Sequence, residues 1–279
     1  MIGFVDVGGG TRGIFGAGVF DYCLDHDITC DMFIGVSAGA ANGVAFIAGQ
    51  RGRNYKYYNE YAFRKEYMSK SNFFKTGSYI GLDYIYKTLS NSDGENPVDY
   101  CSFEKNKTYF YAVATESKTG KPVYFGKNTI KQNDYRVLCA SCCVPVINKP
   151  YKIDNQYYFD GGISDPIPYK KLIKEGCDKV VVVLTKPKDE FRTSEKDIWL
   201  SKLINKKYPS SAKCLATRSK TYNDSLNEII ELEKEGVLLI VAPDEIGHLK
   251  TLSQDHEQLD KLYKSGYQKG ESISEFLNR

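Results

Sequence analysis

The sequence has few of the residues from which metal centres are built. Its 279 residues include three His, one Trp and eight Cys. The one cysteine cluster, Cys139, Cys142 and Cys143, has neither a second cysteine pair nor a His at zinc spacing. We therefore predict neither a metal nor a cofactor, and expect small buried cysteines in a reducing compartment.

Strong net charge and long apolar runs are also missing. The 38 Lys and Arg residues against 35 Asp and Glu leave a net charge of +3, which is too weak to indicate nucleic-acid binding. No apolar run approaches the roughly 18 residues of a membrane-spanning helix. The start of the chain has no basic segment and soon reaches Asp6, which argues against a signal peptide. These absences predict a soluble, cytoplasmic protein that does not bind nucleic acid.

The remaining pattern is that of a globular α/β protein. Hydrophobic residues make up 42% of the chain and charged residues 26%, a composition typical of folded domains. Short strand patterns alternate with helical patterns, which indicates helices layered on a sheet. The strands predicted to lie inside a mostly parallel sheet are residues 2–7, 32–36, 179–184 and 237–242.

The length of the chain and the absence of a linker predict one domain over residues 1–279. Two stretches interrupt the α/β rhythm and are interpreted as insertions, at about 54–98 and 186–220. The first opens with a segment, 54–87, in which Tyr and Phe are interleaved with Lys and Arg. That composition fits a lid at a lipid surface or an ordinary packed cap. The second is polar and basic, and the helical pattern that follows covers 226–235.

A glycine-rich loop follows the first predicted strand. Residues 8–13 read Gly-Gly-Gly-Thr-Arg-Gly, and consecutive glycines can point successive N–H groups at one anion. A P-loop would end in Lys and Ser or Thr, which are absent. A dinucleotide site would need an acidic residue after the next strand, whereas Asp31 precedes that strand. An oxyanion hole and an ordinary tight turn remain.

A possible nucleophile lies after the second predicted strand. Residues 35–39 read Gly-Val-Ser-Ala-Gly, with a strand before them and a helix of small residues after them. In such an elbow the turn is strained and Ser37 stands exposed above the edge of the sheet. The alternative is a glycine-rich turn in which Ser37 only caps the helix.

A serine nucleophile needs a base, and the sequence offers two. Asp160 ends a predicted strand and is followed by two glycines, and a partly buried carboxylate can act as a direct base. His248 follows the last predicted strand, where a Ser-His-Asp triad would place its His. His26 and His256 lie in polar surroundings and are interpreted as surface residues.

Together these motifs resemble the patatin-like phospholipases, specifically the small bacterial type. The resemblance covers roughly residues 2–245 and rests on the glycine loop, the elbow at Ser37 and Asp160-Gly161-Gly162, in that order. The segment Ala-Ser-Cys-Cys-Val-Pro at 140–145 is similar to a further family motif. Val36 and Gly162 stand where other members often carry Thr and Ala. The resemblance implies a three-layer α/β/α sandwich with a mostly parallel central sheet.

The resemblance also implies a Ser–Asp dyad without a catalytic His. Ser37 would attack an ester carbonyl of a phospholipid, lysophospholipid or acylglycerol, and Asp160 would take its proton. An acyl-enzyme would form and water would release it, with transient contact between the protein and a membrane surface. Arg12 would brace the loop or meet an anionic head group. The residues of the implied oxyanion hole are Gly8, Gly9, Gly10, Arg12 and Gly13.

Three other functions fit the same sequence. An esterase for soluble esters could use a triad with His248, a cysteine enzyme could use Cys142 or Cys143, and the scaffold could bind lipid without catalysis. No His is obviously paired with the cysteines, which favours buried thiols. The presence of Ser37, Asp160 and the whole glycine loop favours the hydrolase.

Overall fold

The computed structural model describes residues 1–278, and an eight-stranded mixed sheet lies at its centre. The order of the strands is β5-β6-β3-β2-β1-β7-β8. β2 and β6 pair with successive parts of one edge of β3, and β4 pairs with its opposite edge. The strands are β1 (Ile2–Asp6), β2 (Met32–Val36), β3 (Tyr109–Glu116), β4 (Pro122–Gly126), β5 (Tyr151–Ile153), β6 (Gln156–Asp160), β7 (Lys179–Val183) and β8 (Leu238–Val241).

Eleven α-helices connect or cover these strands within residues 1–278. Short 3₁₀ turns, such as Gly10–Gly13, and one π-helical turn, Tyr84–Leu89, complete the connections. The helices are α1 (Ile14–Asp25), α2 (Ala38–Ile47), α3 (Arg53–Asn59), α4 (Lys70–Thr76), α5 (Tyr100–Lys105), α6 (Arg136–Ser141), α7 (Tyr169–Lys174), α8 (Glu195–Ile204), α9 (Pro209–Lys234), α10 (His256–Lys269) and α11 (Glu271–Leu277).

The four strands predicted to be parallel are neighbours in the sheet. β2, β1, β7 and β8 pair in that order, each parallel to the next. Their side chains alternate between two apolar cores, because successive residues of a strand point to opposite faces. Phe4 belongs to one core and Val5 to the other. Buried on both faces, the four strands form the parallel part of the sheet as predicted, but β8 lies at its edge rather than inside it.

Each face of the sheet is covered by helices, which gives three layers. The core on one face contains Ile14 and Phe20 from α1 and Val44 from α2. The core on the other face contains Leu172 from α7 and Leu226 from α9. The predicted α/β/α sandwich with a mostly parallel sheet is therefore confirmed.

The helix predicted at 226–235 begins much earlier, at Pro209, and is 26 residues long. Its first half buries small and polar residues, including Ser211, Ala212 and Ser219. A helix face made of such residues has a weak apolar period, so the sequence pattern did not reveal it. No helix within residues 1–278 has the length and hydropathy needed to cross a membrane.

Candidate active site

Ser37 occupies a sharp turn between β2 and α2. Its backbone has φ 57° and ψ −128°, a conformation that a residue with a side chain rarely adopts. The turn also requires Gly39, because a Cβ there would lie 2.2 Å from the carbonyl oxygen of Asp6. The strand, turn and helix predicted around Ser37 are all present.

The strained turn is held by a serine from a distant part of the chain. The N–H of Ser37 donates to Oγ of Ser141, 2.8 Å away, and Ser141 Oγ donates to the carbonyl oxygen of Val113 at 2.7 Å. Ser141 is completely buried. It lies within the segment 140–145 that is similar to a family motif, but no role in the site was predicted for it.

Strand β3 brings Asp160 to the elbow. β4 pairs with one edge of β3, and on the other edge Val36 lies opposite Val113 while Asp160 lies opposite Ala114. Val113 and Ala114 are consecutive residues of β3. The end of β6 therefore begins to pair with β3 at the point where β2 stops pairing with it. The residue after Val36 is the serine of the elbow, so the two predicted catalytic residues meet at this edge.

The Asp160 carboxylate is buried beside the Ser37 hydroxyl. Asp160 is only 7% exposed. This burial raises the pKa of its carboxyl above the ordinary value. Hydrogen bonding by the Ser37 side chain and by the N–H of Gly162, 2.8 Å from Oδ1, opposes that rise. The positive charges of Arg218 and Arg192 lower the pKa further. The site thus combines a hydroxyl with a carboxylate whose basicity is increased by burial.

The glycine loop packs directly on the elbow. Gly8, Gly9 and Gly10 all have positive φ, at 63°, 140° and 65°. A Cβ on Gly8 would lie 2.3 Å from the carbonyl oxygen of Val36. The N–H of Gly8 donates to Oδ1 of Asp6 at 2.9 Å and is therefore engaged. Within residues 1–278, the N–H groups of Gly9 and Gly10 have no protein acceptor.

Arg12 and Gly13 occupy the turn that follows the loop. Arg12 is 5% exposed, and burial lowers the pKa of its guanidinium. Its Nε is buried without a hydrogen-bond partner in the described chain. Gly13 is a packing position, because a Cβ there would lie 2.8 Å from Cβ of Ala38. Its carbonyl oxygen accepts a hydrogen bond from Asn42 Nδ2 at 2.9 Å.

Asp6 connects the loop to α2 and was not predicted as part of the site. Its Oδ1 accepts the hydrogen bond from Gly8, and Oδ2 accepts one from Asn42 Nδ2 at 2.8 Å. The residue is fully buried, which raises the pKa of its carboxyl to about 6. The sequence shows only a strand that ends in Asp, a common pattern with no specific meaning.

An apolar pocket opens beside Ser37. The Tyr-rich segment supplies nearly half of its lining residues, and several of these aromatic side chains are buried rather than exposed. The lining residues from that segment are Asn54, Tyr57, Tyr58, Tyr67, Met68, Ile80, Leu82, Ile85 and Tyr86. The other lining residues are Gly10, Thr11, Ser37, Ala38, Ala41, Arg53, Cys142, Val144, Thr251 and Leu252.

The cysteines of the cluster are packed thiols. Cys142 lines the pocket, and the hydroxyl of Tyr86 lies 3.1 Å from its Sγ. Burial raises the pKa of Cys142 to about 12 and that of Cys143 well above its ordinary value. A thiol in this environment is protonated at neutral pH and is a poor nucleophile.

The three histidines are engaged elsewhere. His248 is 69% exposed, and its Nε2 lies 3.0 Å from Oδ2 of Asp255. His256 stacks on Phe63 with ring centroids 3.6 Å apart, and His26 stacks on Tyr22. Among residues 1–278, no hydrogen bond joins a histidine to Ser37 or Asp160.

The fold and site define an α/β/α protein with a serine elbow, and the comparison with known families identifies its family. The model of the patatin-like phospholipases matches residues 7–173, more than half of the chain. The chain belongs to the patatin-like phospholipase family. A second model, a domain of unknown function named DUF6363, matches residues 208–279.

The relatives are similar over part of their length. The uncharacterized protein YjjU of Escherichia coli is 34% identical over 197 residues, which cover 70% of this chain and 54% of that protein. An uncharacterized NTE family protein of Mycobacterium tuberculosis is 26% identical over 100 residues, covering 34% of this chain and 27% of that protein. The chain thus spans about half the length of YjjU. It spans a smaller part of the mycobacterial protein.

A solved structure supports the fold. The crystal structure of VipD from Legionella pneumophila superposes with a TM-score of 0.56, covering 97% of this chain and 66% of that one. The two sequences are 16% identical, so the likeness concerns the fold alone.

Proposed function

We propose that this protein is a serine hydrolase that releases fatty acids from phospholipids, lysophospholipids or acylglycerols through a Ser–Asp dyad. One observation carries the proposal. Ser37, in a strained elbow, lies beside a buried carboxylate on one side and an apolar pocket on the other. This arrangement supplies a nucleophile, its base and a place for an acyl chain.

The reaction begins at the Ser37 hydroxyl. Its Oγ attacks the ester carbonyl while Asp160 takes the proton, which is the role of a carboxylate base with a raised pKa. The N–H groups of Gly9 and Gly10, together with that of Ala38 after the nucleophile, donate to the developing oxyanion. Gly8 does not take part, because its N–H is bound to Asp6.

Collapse of the tetrahedral intermediate breaks the ester bond. Asp160 returns the proton to the leaving alcohol, and the acyl group stays on Ser37 as an ester. Water then attacks the acyl-enzyme and gives a proton to Asp160. Collapse of this second tetrahedral intermediate releases the fatty acid as Asp160 returns the proton to Ser37 Oγ. The base is regenerated without an imidazole.

The pocket beside Ser37 holds the acyl chain. Its aromatic and aliphatic lining suits a hydrocarbon, and Cys142 offers only a protonated thiol. On the polar side of the ester, Arg12 is the residue that would contact the head group. Its buried Nε lacks a protein acceptor within residues 1–278, which favours contact with an anionic head group.

The test is acyl release from four substrate classes: a phospholipid, a lysophospholipid, an acylglycerol and a soluble short-chain ester. Hydrolysis of at least one lipid class, lost in Ser37→Ala, supports the proposal. Hydrolysis of the soluble ester alone would point to a simple esterase. If the wild type and Ser37→Ala both bind lipid and neither releases a fatty acid, the protein is a lipid-binding module without catalysis.

The role of the pocket has its own test at Ala41, a half-buried residue of its wall. Ala41→Phe fills space that a chain would occupy and should lower long-chain kcat/KM at least tenfold relative to short-chain kcat/KM. Ala41→Ser is the matched control and should leave the ratio near that of the wild type. Equal effects on both chain lengths would mean that the acyl chain does not lie in this pocket.

A further inference from the structure

The segment between β8 and α10 lies against the active-site loop. We call residues 243–255 the strap. The carbonyl oxygen of Thr251 accepts the N–H of Thr11 at 2.9 Å. A Cβ on Gly10 would lie only 1.9 Å from that same oxygen, so the strap touches the glycine loop backbone to backbone.

The strap is fixed at its C-terminal end. Gln254 Nε2 donates to the carbonyl oxygen of Ala62 at 2.6 Å, which ties it to the Tyr-rich segment. Asp255 then caps α10 by accepting the N–H of Gln258 at 3.1 Å. Helix α10 is in close backbone contact with α1, since a Cβ on Gly266 would lie 2.0 Å from the carbonyl oxygen of Phe15.

Thr251 and Leu252 also form part of the wall of the pocket at Ser37. They belong to residues 208–279, the part of the chain matched by the domain of unknown function. We infer that this C-terminal region completes the acyl-binding site and that Leu252 helps to set the preferred acyl chain. The inference rests on the proposed function, because it assumes that the pocket holds an acyl group.

Leu252 provides the test, with Leu232 as the control. Both are half-buried leucines of the C-terminal region, but Leu232 packs in the core on the opposite face of the sheet. Leu252→Trp should raise KM for long-chain esters about tenfold more than for short-chain esters, with kcat little changed. Leu252→Ala should shift the preference to longer chains, and Leu232→Ala should leave it unchanged. An unchanged preference in both Leu252 variants would overturn the inference.

A binding measurement separates this inference from the proposed chemistry. Fatty acids of increasing length are titrated against Ser37→Ala and against Ser37→Ala combined with Leu252→Trp. Weaker binding of the long fatty acids alone in the double variant supports the role of Leu252 even if no ester is hydrolysed. The same affinities in both proteins would contradict it, whatever the hydrolysis assay shows.

A second, independent feature is helix α4, which buries none of its residues. Two phenylalanines project from it, Phe73 at 45% and Phe74 at 84% exposure. The helix lies between Met68 and Ile80, which pair with each other and line the acyl pocket. Two large apolar side chains are thus exposed at the part of the molecule that borders the pocket.

Three lysines belong to or adjoin the helix that carries these phenylalanines. Lys70 and Lys75 belong to the same helix, and Lys149 is adjacent because its Nζ would lie 2.6 Å from a Cβ on Gly77. None of the three lysines forms a salt bridge within the described chain. Exposed aromatic residues with unpaired lysines are the composition of a segment that lies in a membrane interface. We propose that α4 docks on an anionic lipid surface, from which the proposed substrate would reach the pocket.

Sedimentation with vesicles tests this docking without catalysis. Ser37→Ala protein should bind vesicles of phosphatidylcholine with phosphatidylglycerol more strongly than vesicles of phosphatidylcholine alone. Adding Phe74→Ser should reduce binding about tenfold, the effect of losing one buried aromatic side chain. Tyr109→Ser changes another exposed aromatic residue, at the start of β3, and should have no effect.

Hydrolysis of a soluble ester distinguishes docking from catalysis. Phe74→Ser should retain wild-type activity on it, so a loss of activity there would indicate a structural defect instead. Vesicle binding equal to that of the wild type would overturn the proposal. Loss of a concentration-dependent dimer in Phe74→Ser, without a change in vesicle binding, would show that α4 contacts a second copy of the chain.

Discussion

Oγ of Ser141 lies 2.8 Å from the N–H of Ser37, although the two residues are 104 positions apart. The same hydroxyl donates to the carbonyl oxygen of Val113, so one side chain satisfies two backbone groups at the elbow. Because Val113 also pairs with Val36, the serine links the strand on which the nucleophile is mounted to its neighbour. The strained backbone of Ser37 is therefore held from outside its own segment.

Replacing Ser141 by Ala should leave a buried N–H and a buried carbonyl oxygen without partners. We expect the free energy of unfolding to fall by about 1–3 kcal/mol, measured by urea denaturation. Activity should fall as well, because Ser37 loses its support, and Ser141→Thr should restore part of both. Wild-type stability in Ser141→Ala would show that the elbow does not need this hydrogen bond.

Ser37 should react with a fluorophosphonate, since this reagent imitates the acyl transfer that we propose. Labelling, followed by mass spectrometry, should disappear in Ser37→Ala. It should persist in Cys142→Ala and Cys143→Ala, whose thiols are protonated because burial raises their pKa. Labelling of Ser37→Ala at an unchanged rate would place the nucleophile elsewhere.

The base can be identified by comparing Asp160→Asn with His248→Ala. The first should lower kcat by two orders of magnitude or more, the scale of a general base. The second should keep most of the activity, because His248 faces Asp255 and solvent. The reverse result would indicate a triad.

The pH profile gives a second view of the base. Asp160 acts when ionised, so kcat/KM should fall as the pH decreases through its pKa. Burial raises that pKa, and the acid limb should therefore lie above the ordinary value of about 3.9. The limb should be the same in His248→Ala. Its disappearance in that variant would assign it to the imidazole instead.

Arg12→Ala should weaken turnover of anionic esters more than that of neutral ones. Loss of a hydrogen bond between charged groups corresponds to about tenfold or more in kcat/KM. The exposed Arg51, which pairs with Asp25, is the control, and Arg51→Ala should have no such effect. An equal decrease for anionic and neutral esters would mean that Arg12 only braces the loop.

Asp6 should make stability depend on pH in the mildly acidic range. Its carboxyl has a pKa of about 6 in the folded chain and about 3.9 when unfolded. Between these values the folded state binds more protons, so the free energy of unfolding falls as the pH rises. The slope from this group is at most about 1.4 kcal/mol per pH unit.

Urea denaturation across this range measures the slope. Asp6→Asn should flatten it relative to the wild type, although the variant itself is less stable because Asn42 loses a carboxylate partner. Asp93→Asn changes an exposed carboxylate, so it is the control and should leave the slope unchanged. An identical slope in Asp6→Asn would mean that Asp6 is ionised at the same pH in both states.

The sequence alone determined the elements that depend on neighbouring residues. The Val180–Val183 run is apolar without alternation, and such a run favours a strand buried on both faces. The elbow at Ser37 and the glycine loop are readable because tight turns require glycine at fixed spacings. For the same reason the order of the motifs was enough to indicate the family.

The resemblance implied that Asp160 pairs with Ser37, but only the tertiary structure decided how the two meet and which other distant residues share the site. Asp160 lies beside Ser37 because β3 pairs with both β2, which precedes Ser37, and β6, which ends in Asp160. Ser141 supports the elbow from α6 through its hydrogen bond with the N–H of Ser37. Thr251 reaches the glycine loop through a backbone carbonyl, an interaction that leaves no mark on side-chain identity. Such contacts depend on the register and packing of whole elements, which local patterns do not encode.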